Sequence, residues 1–211
     1  MESNTLEKQI QRIYFKIGSI KREYNRKRLK NRDFSLISSN CNGALILHDL
    51  GLRFNSPFVN LWIRPKDYIK MLKDLKGYME SDLVFVSEEG ISYPIGLLKD
   101  IKIYFQHYSS QEEAYKKWNE RKNRINYHNL FVVFTDRDGC TIEDIKEFDN
   151  IESIKNKVVF THSRINGIDS AVYIKGFENK NEVGHLYEYM TPRKIKKYYD
   201  QFDYVRWFNR Q

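Results

Sequence analysis

The chain has 211 residues, of which 41% are hydrophobic and 30% charged, a balance that suits a soluble globular domain and excludes a disordered chain. Two cysteines exclude a disulfide-stapled scaffold, and no apolar run approaches the ~20 residues that span a bilayer. Of the net charge of +8, nearly all sits in residues 1–32, which carry ten basic and three acidic side chains, so the remainder is close to neutral.

The first element is a helix over residues 5–30. Ile10, Ile13, Tyr14, Ile17, Ile20 and Tyr24 recur at steps of three and four with basic residues between them. The plain reading is a helix docked on the domain with its basic face in solvent; the sharper one is adsorption to an anionic membrane surface. The basic residues surround the helix and no nucleic-acid motif accompanies them, so nucleic acid is not an expected partner.

From residue 33 onward strands and helices alternate. Phe34–Ser38 reads as a strand, Gly43–Leu50 as a short helix and Phe58–Ile63 as a strand. Pro65–Met79 reads as a helix opened by proline, with Tyr68, Leu72, Leu75 and Met79 on its apolar face. Leu83–Val86 is a short strand, and Ile101–Gln106 alternates apolar and polar residues as a strand does. Ser110 and Glu113 form a capping box for a helix to Arg124, and Thr141 with Asp144 repeats it for a helix to about Phe148. Leu130–Thr135, Lys157–His162 and Ala171–Lys175 complete the strands, and Thr191-Pro192 is expected to open a final helix through Trp207. The pattern implies an α/β fold: a layered αβα domain over 33–211 with a mixed, largely parallel sheet, preceded by a basic amphipathic helix over 1–32.

The sharpest motif is Phe131-Val132-Val133-Phe134-Thr135-Asp136-Arg137-Asp138-Gly139. An apolar strand runs into two aspartates one residue apart, which share a face if the chain stays extended. Such a pair at a strand's carboxyl end can hold Mg²⁺ or Mn²⁺ against a substrate phosphate, or can simply cap backbone amides in a turn. The same run resembles the haloacid-dehalogenase phosphotransferase motif, but the downstream lysine and acidic-pair setting of that family is not found, and about 130 residues precede the motif.

The turn Ser38-Ser39-Asn40-Cys41-Asn42-Gly43 stands between strand and helix, where free amides favour an anion; Cys41 there is either a nucleophile or a buried inert thiol. Trp118 and Arg121 share a helix face, and His107 ends a strand as a candidate general base. Asn55-Ser56-Pro57-Phe58 and Tyr93-Pro94-Ile95-Gly96 are loops able to line a pocket.

In combination and in order, Ser39-Asn40-Cys41-Asn42-Gly43, Asn55-Ser56-Pro57-Phe58, Tyr93-Pro94-Ile95-Gly96, His107-Tyr108, Ala114 to Arg121 and Asp136-Arg137-Asp138-Gly139-Cys140 resemble a bacterial family of unknown function often labelled exopolysaccharide or capsule biosynthesis proteins. The resemblance covers residues 33–165 and implies an α/β fold in a surface-polysaccharide setting. The resulting expectation is a cytoplasmic protein, peripheral on the inner membrane leaflet, that transfers a sugar or sugar-phosphate unit from a nucleotide sugar or phosphorylated glycan precursor. Asp136 and Asp138 would hold the metal, with Asp138 also catalytic. His107 would act as base, while Asn40, Cys41, Gly43, Asn55, Ser56, Tyr93, Trp118, Arg121 and Arg137 would bind substrate. The alternative is a non-catalytic binding or scaffold protein of the same machinery.

Overall fold

The computed structural model describes residues 2–210, and of residues 2–8 and 11 it describes only the helical backbone. The elements follow in chain order as α1 (Glu2–Arg28), β1 (Ser35–Ser38), α2 (Asn42–Asp49), β2 (Trp62–Ile63), α3 (Pro65–Lys73), α4 (Leu75–Glu80), β3 (Leu83–Val86), β4 (Ile95–Leu98), β5 (Ile101–Tyr104), α5 (Gln111–Lys122), β6 (Leu130–Thr135), α6 (Ile142–Asp149), β7 (Asn156–Thr161), β8 (Ala171–Tyr173), a 3₁₀ turn (Tyr198–Gln201) and α7 (Tyr204–Phe208).

The strands divide between two sheets. One is wholly parallel, ordered β1-β6-β7-β8; the other is antiparallel, ordered β2-β5-β4-β3. The reason for the split lies in the connections. Parallel neighbours need a long crossover, and the chain between β3 and β5 has no helix to supply one. β4 and β5 are joined by Lys99 and Asp100 alone, a hairpin that forces antiparallel pairing.

The parallel sheet is the middle layer. Its side chains alternate between two cores: Ile37, Val132, Phe134 and Val159 on one face, Leu36, Phe131, Val133, Val158 and Phe160 on the other. The first face receives α3, α5, α6 and the antiparallel sheet. The second receives α2 and the carboxyl-terminal segment, where Trp207 and Phe208 meet Phe131 edge-on at 4.9 and 5.2 Å. Burial on both faces explains why β6 is a continuous apolar run. The free edge of β1 is closed by side chains. Asn55 accepts from the Leu36 amide and donates to the Phe34 carbonyl, and Ser56 donates to the Leu36 carbonyl.

Several boundaries differ from expectation, each for a local reason. The strand expected at Phe58–Ile63 shrinks to Trp62–Ile63, because Asn60 takes a positive φ of 60° that extended backbone does not allow. The helix from Pro65 breaks at Asp74, which caps a second helix by accepting from the Gly77 amide. The final helix does not begin at Thr191-Pro192. Tyr189 and Lys197 bridge antiparallel around that turn, and helix resumes only where the Asp203 side chain caps α7. Helix α1 is reversed. It docks through Gly18 and Asn25, with Leu29 buried just past its end, and through Lys21 to Asp200 (2.6 Å), Arg28 to Asp203 (2.5 Å) and Arg26 to the Asp49 carbonyl (3.0 Å), while Ile10, Ile13, Phe15, Ile17, Ile20 and Tyr24 face solvent. Among the described residues no helix is long and apolar enough to cross a membrane.

Candidate functional site

β1 and β6 are parallel neighbours, so their carboxyl ends lie side by side at one edge of the sheet. The turns that follow them are tied together. Asn40 Nδ2 donates to Thr135 Oγ1 at 2.9 Å, and Asn40 Oδ1 accepts from the Asn42 amide. The β1 turn also reaches the second sheet, because the Ile63 amide donates to the Ser39 carbonyl at 3.0 Å. A cleft of about 260 Å³ opens where these parts meet, lined by Asn40, Cys41, Asn42, Trp62, Gln106, His107, Arg137, Asp138, His185 and Tyr187.

The β6 turn does not stay extended. Asp138 and Gly139 have φ of 62° and 82°, and the Cys140 amide donates back to the Arg137 carbonyl, a tight reversal with two left-handed central residues. Asp136 and Asp138 therefore part company. Asp136 is buried, and both its oxygens are engaged: Oδ1 accepts from the Val183 amide at 2.8 Å, and Oδ2 from the His162 amide at 2.8 Å and faces His162 Nδ1 at 2.6 Å. Asp138 is exposed in the cleft. The two carboxylates therefore meet different surroundings, Asp136 with both oxygens hydrogen-bonded inside the protein and Asp138 open to the cleft. Among the described residues no group of three or more His, Cys, Asp or Glu side chains is placed to hold a metal ion.

The β6 turn instead organises a distant segment. The Asp138 amide donates to Glu182 Oε2 at 2.8 Å, and Arg137 Nη1 meets His185 Nδ1 at 2.9 Å. Together with the Asp136 to Val183 bond, these contacts bring His185 and Tyr187 to the cleft wall. Sequence reasoning passed over both residues, as it did Trp62 and Gln106. The one signal available was the Asp136 turn itself, whose buried acceptors require donors from somewhere else in the chain.

Five of the expected site residues line the cleft: Asn40, Cys41, His107, Arg137 and Asp138. The others have places elsewhere. Gly43 is buried against Ser38, where an added Cβ would come within 2.6 Å of the Ser38 Cβ. Asn55 and Ser56 close the edge of β1 as described. Trp118 is in the core, edge-on to Phe58 and Phe105. Arg121 donates to the Tyr108 hydroxyl at 2.7 Å and lies over the Phe54 ring. Tyr93 is half-buried just before β4, outside the cleft lining.

Burial pushes the Cys41 thiol up, and the Arg137 guanidinium pulls it only partway back. Burial, with the Asp144, Asp136 and Asp138 carboxylates, raises Cys140 further. Both thiols are therefore protonated near neutrality, which disfavours a nucleophilic role for Cys41. The cleft's chemistry is that of amides, one guanidinium, one carboxylate, two imidazoles and two aromatic rings. Among the described residues, Trp62 Nε1 and Arg137 Nε have no hydrogen-bond partner.

A family model described as "Domain of unknown function (DUF1919)" matches residues 12–209. An uncharacterized protein of Haemophilus influenzae is 50% identical over 183 residues, 87% of this chain and 87% of that one.

Proposed function

This chain belongs to the DUF1919 domain family, and from the geometry of its cleft we propose that it takes up a sugar or singly phosphorylated sugar unit for transfer during surface polysaccharide assembly. The observation that carries the reading is the convergence of the β1 and β6 turns with His107 on one cleft. Planar amides and a carboxylate match the paired donors and acceptors of adjacent sugar hydroxyls. Trp62 and Tyr187 offer apolar faces against which the C–H side of a sugar ring can lie. Arg137 supplies a forked donor for one phosphate.

Size and charge narrow the ligand. The cleft, at about 260 Å³, falls just below the ~300–1,000 Å³ of pockets that bury drug-sized molecules. It suits one sugar unit, with the nucleotide of a linked donor left outside. One guanidinium beside one carboxylate suits one phosphate better than a bare diphosphate. In transfer, His107 would take the acceptor proton, Asp138 would orient the sugar hydroxyls, and Arg137 would offset charge on the leaving oxygen. Mg²⁺ or Mn²⁺ would enter only with a donor's diphosphate, because the Asp136 carboxylate is already engaged. That engagement favours the alternative of a binding protein without turnover, since one free carboxylate remains for catalysis.

The test is thermal and chemical unfolding against hexose phosphates and nucleotide sugars, with and without Mn²⁺. A ligand at about 100 times its Kd adds ~2.7 kcal/mol. Asp138→Asn and Arg137→Met are expected to remove that gain, and His107→Ala to keep it while abolishing transfer. Stabilisation without transfer in the wild type supports the binding role. No stabilisation by any sugar or sugar phosphate refutes both.

A further inference from the structure

Two sides of α1 carry different residues. At about 100° per residue, Ile10, Ile13, Ile17, Ile20 and Tyr24 fall on one side of the helix, and Arg12, Phe15, Gly18 and Arg22 fall on the opposite one. The second set forms one wall of a groove of about 400 Å³. The other wall is Tyr189 and Lys194, from the segment that reverses ahead of the 3₁₀ turn. There the Lys194 amide donates to the Thr191 carbonyl at 3.0 Å, and Lys194 takes a left-handed φ of 52°. The walls come together at Gly18, where an added Cβ would stand 3.8 Å from the Lys194 carbonyl.

The lining is cationic and aromatic. Arg12, Arg22 and Lys194 supply three positive charges, no carboxylate lines the groove, and none of the three forms an ion pair among the described residues. The carboxylates of the adjoining crevice, Asp49 and Asp200, are held by Lys197 and Lys21. Phe15, 73% exposed, stands on one wall and Tyr189 on the other, with the Arg22 guanidinium 6.0 Å from the Phe15 ring centre. A ligand that is planar and apolar at one end and multiply anionic at the other would cover the rings and offset the repulsion between the cations together. We infer that this groove binds a nucleoside diphosphate, its base against Phe15 and Tyr189 and its phosphates on Arg12, Arg22 and Lys194. The volume falls within the ~300–1,000 Å³ of small-molecule pockets. The groove shares no lining residue with the cleft, although one segment serves both, giving His185 and Tyr187 to the cleft and Tyr189 to the groove. A lipid headgroup matches the cations but not the placement, because a bilayer against the isoleucine side of α1 leaves the groove facing away from it.

The experiment is titration calorimetry of the full chain with UDP, ADP, GDP and CDP, and in parallel with inorganic pyrophosphate and the free nucleosides. At least one nucleoside diphosphate is expected to bind with one-to-one stoichiometry, at least about tenfold more tightly than pyrophosphate or its own nucleoside, since each of these keeps only half of the contacts. Phe15→Ala, at an exposed position, is expected to leave the melting temperature unchanged, to weaken the nucleotide about tenfold and to leave pyrophosphate as it was. Arg22→Gln, and Lys194→Asn, which keeps a residue tolerant of the left-handed φ, are each expected to weaken both ligands. Arg137→Met in the cleft is expected to leave nucleotide binding unchanged, and Phe15→Ala to leave hexose phosphate binding unchanged, so that groove and cleft fail separately. Four results would each overturn the inference. One is no binding of any nucleoside diphosphate. A second is pyrophosphate binding as tightly as the nucleotide, which would make the groove a plain oxyanion site. A third is nucleotide binding lost in Arg137→Met but kept in the groove variants, which would assign it to the cleft. The fourth is co-sedimentation with phosphatidylglycerol vesicles that Arg22→Gln abolishes while nucleotides fail to compete, which would give the groove to a lipid surface.

Discussion

After β1 the chain enters helix α2 at once, with Cys41 at the helix start, Asn42 and the Asn40 side chain left at the cleft, and Gly43 pressed on Ser38. After β6 it first reverses through Asp138 and Gly139, and only then does Thr141 cap α6. The first turn spends Asn40 and the Ser39 carbonyl on tying β1 to β6 and to β2. The second spends Asp136, the Asp138 amide and Arg137 on a segment some 45 residues downstream, as the separations of Val183, Glu182 and His185 show. One turn presents chemistry, and the other builds the wall opposite it. Two aspartates one residue apart thus serve different ends: Asp136 holds structure and Asp138 is available to a ligand.

The largest expected effect breaks this division directly. Asp136→Ala leaves the Val183 and His162 amides without acceptors in a buried site. It is expected to cost about 3 kcal/mol or more in urea unfolding, and to loosen residues 182–187 in hydrogen exchange. Asp138→Asn, which keeps a residue tolerant of the left-handed φ of 62° and changes only an exposed carboxylate, is expected to change stability by less than about 0.5 kcal/mol. If the two substitutions cost the same, the contrast between the turns fails.

The next effect sharpens the account of the β1 turn. Gly43→Ala drives a methyl to within 2.6 Å of the Ser38 Cβ and is expected to cost about 1–3 kcal/mol. A smaller one concerns the far end of α2. Burial alone would raise the Asp49 carboxyl, but the Lys197 ammonium (2.7 Å) and the Tyr199 hydroxyl (2.5 Å) outweigh it and hold the group below its ordinary value. A depressed folded pKa stabilises the fold above the unfolded pKa, near 3.9, and the contribution is lost as pH falls through the folded one. Asp49→Asn is expected to cost about 1 kcal/mol at pH 7 and to flatten the stability profile below about pH 4. An unchanged acid limb would show that other carboxylates govern it.

What the sequence made legible was whatever is decided locally. The β6 run and the α6 capping box with both its bonds follow from neighbours within a few residues, whereas the convergence of the two strand-end turns depends on the parallel pairing of β1 with β6. β4 was hidden because it follows Pro94 and contains Gly96. That glycine is there for long-range packing: an added Cβ would meet Leu83 Cδ1 at 2.5 Å. The face of α1 was hidden for a related reason. Apolar spacing shows which residues share a side, but the direction of that side was set by Asp200, Asp203 and Asp49, all distant in sequence. His185 and Tyr187 carry no local mark of their role, since only the Asp136 turn places them.

Cys41 gives the finest test of the comparison, because its position at the start of α2 in the cleft resembles that of a catalytic thiol. The thiolate is the reactive form, and the balance of burial against Arg137 leaves the thiol above its ordinary value. Alkylation of Cys41 by iodoacetamide at neutral pH is therefore expected to run slower than that of a free cysteine. Arg137→Met removes the one charge favouring the thiolate and is expected to slow alkylation further. Cys41→Ala is expected to leave ligand binding and any transfer within about twofold of wild type, as befits a residue that fills the cleft wall without reacting. Fast alkylation, or loss of transfer on replacement by alanine, would move Cys41 from the wall to the chemistry, and the presenting turn would then supply the nucleophile as well as the binding groups.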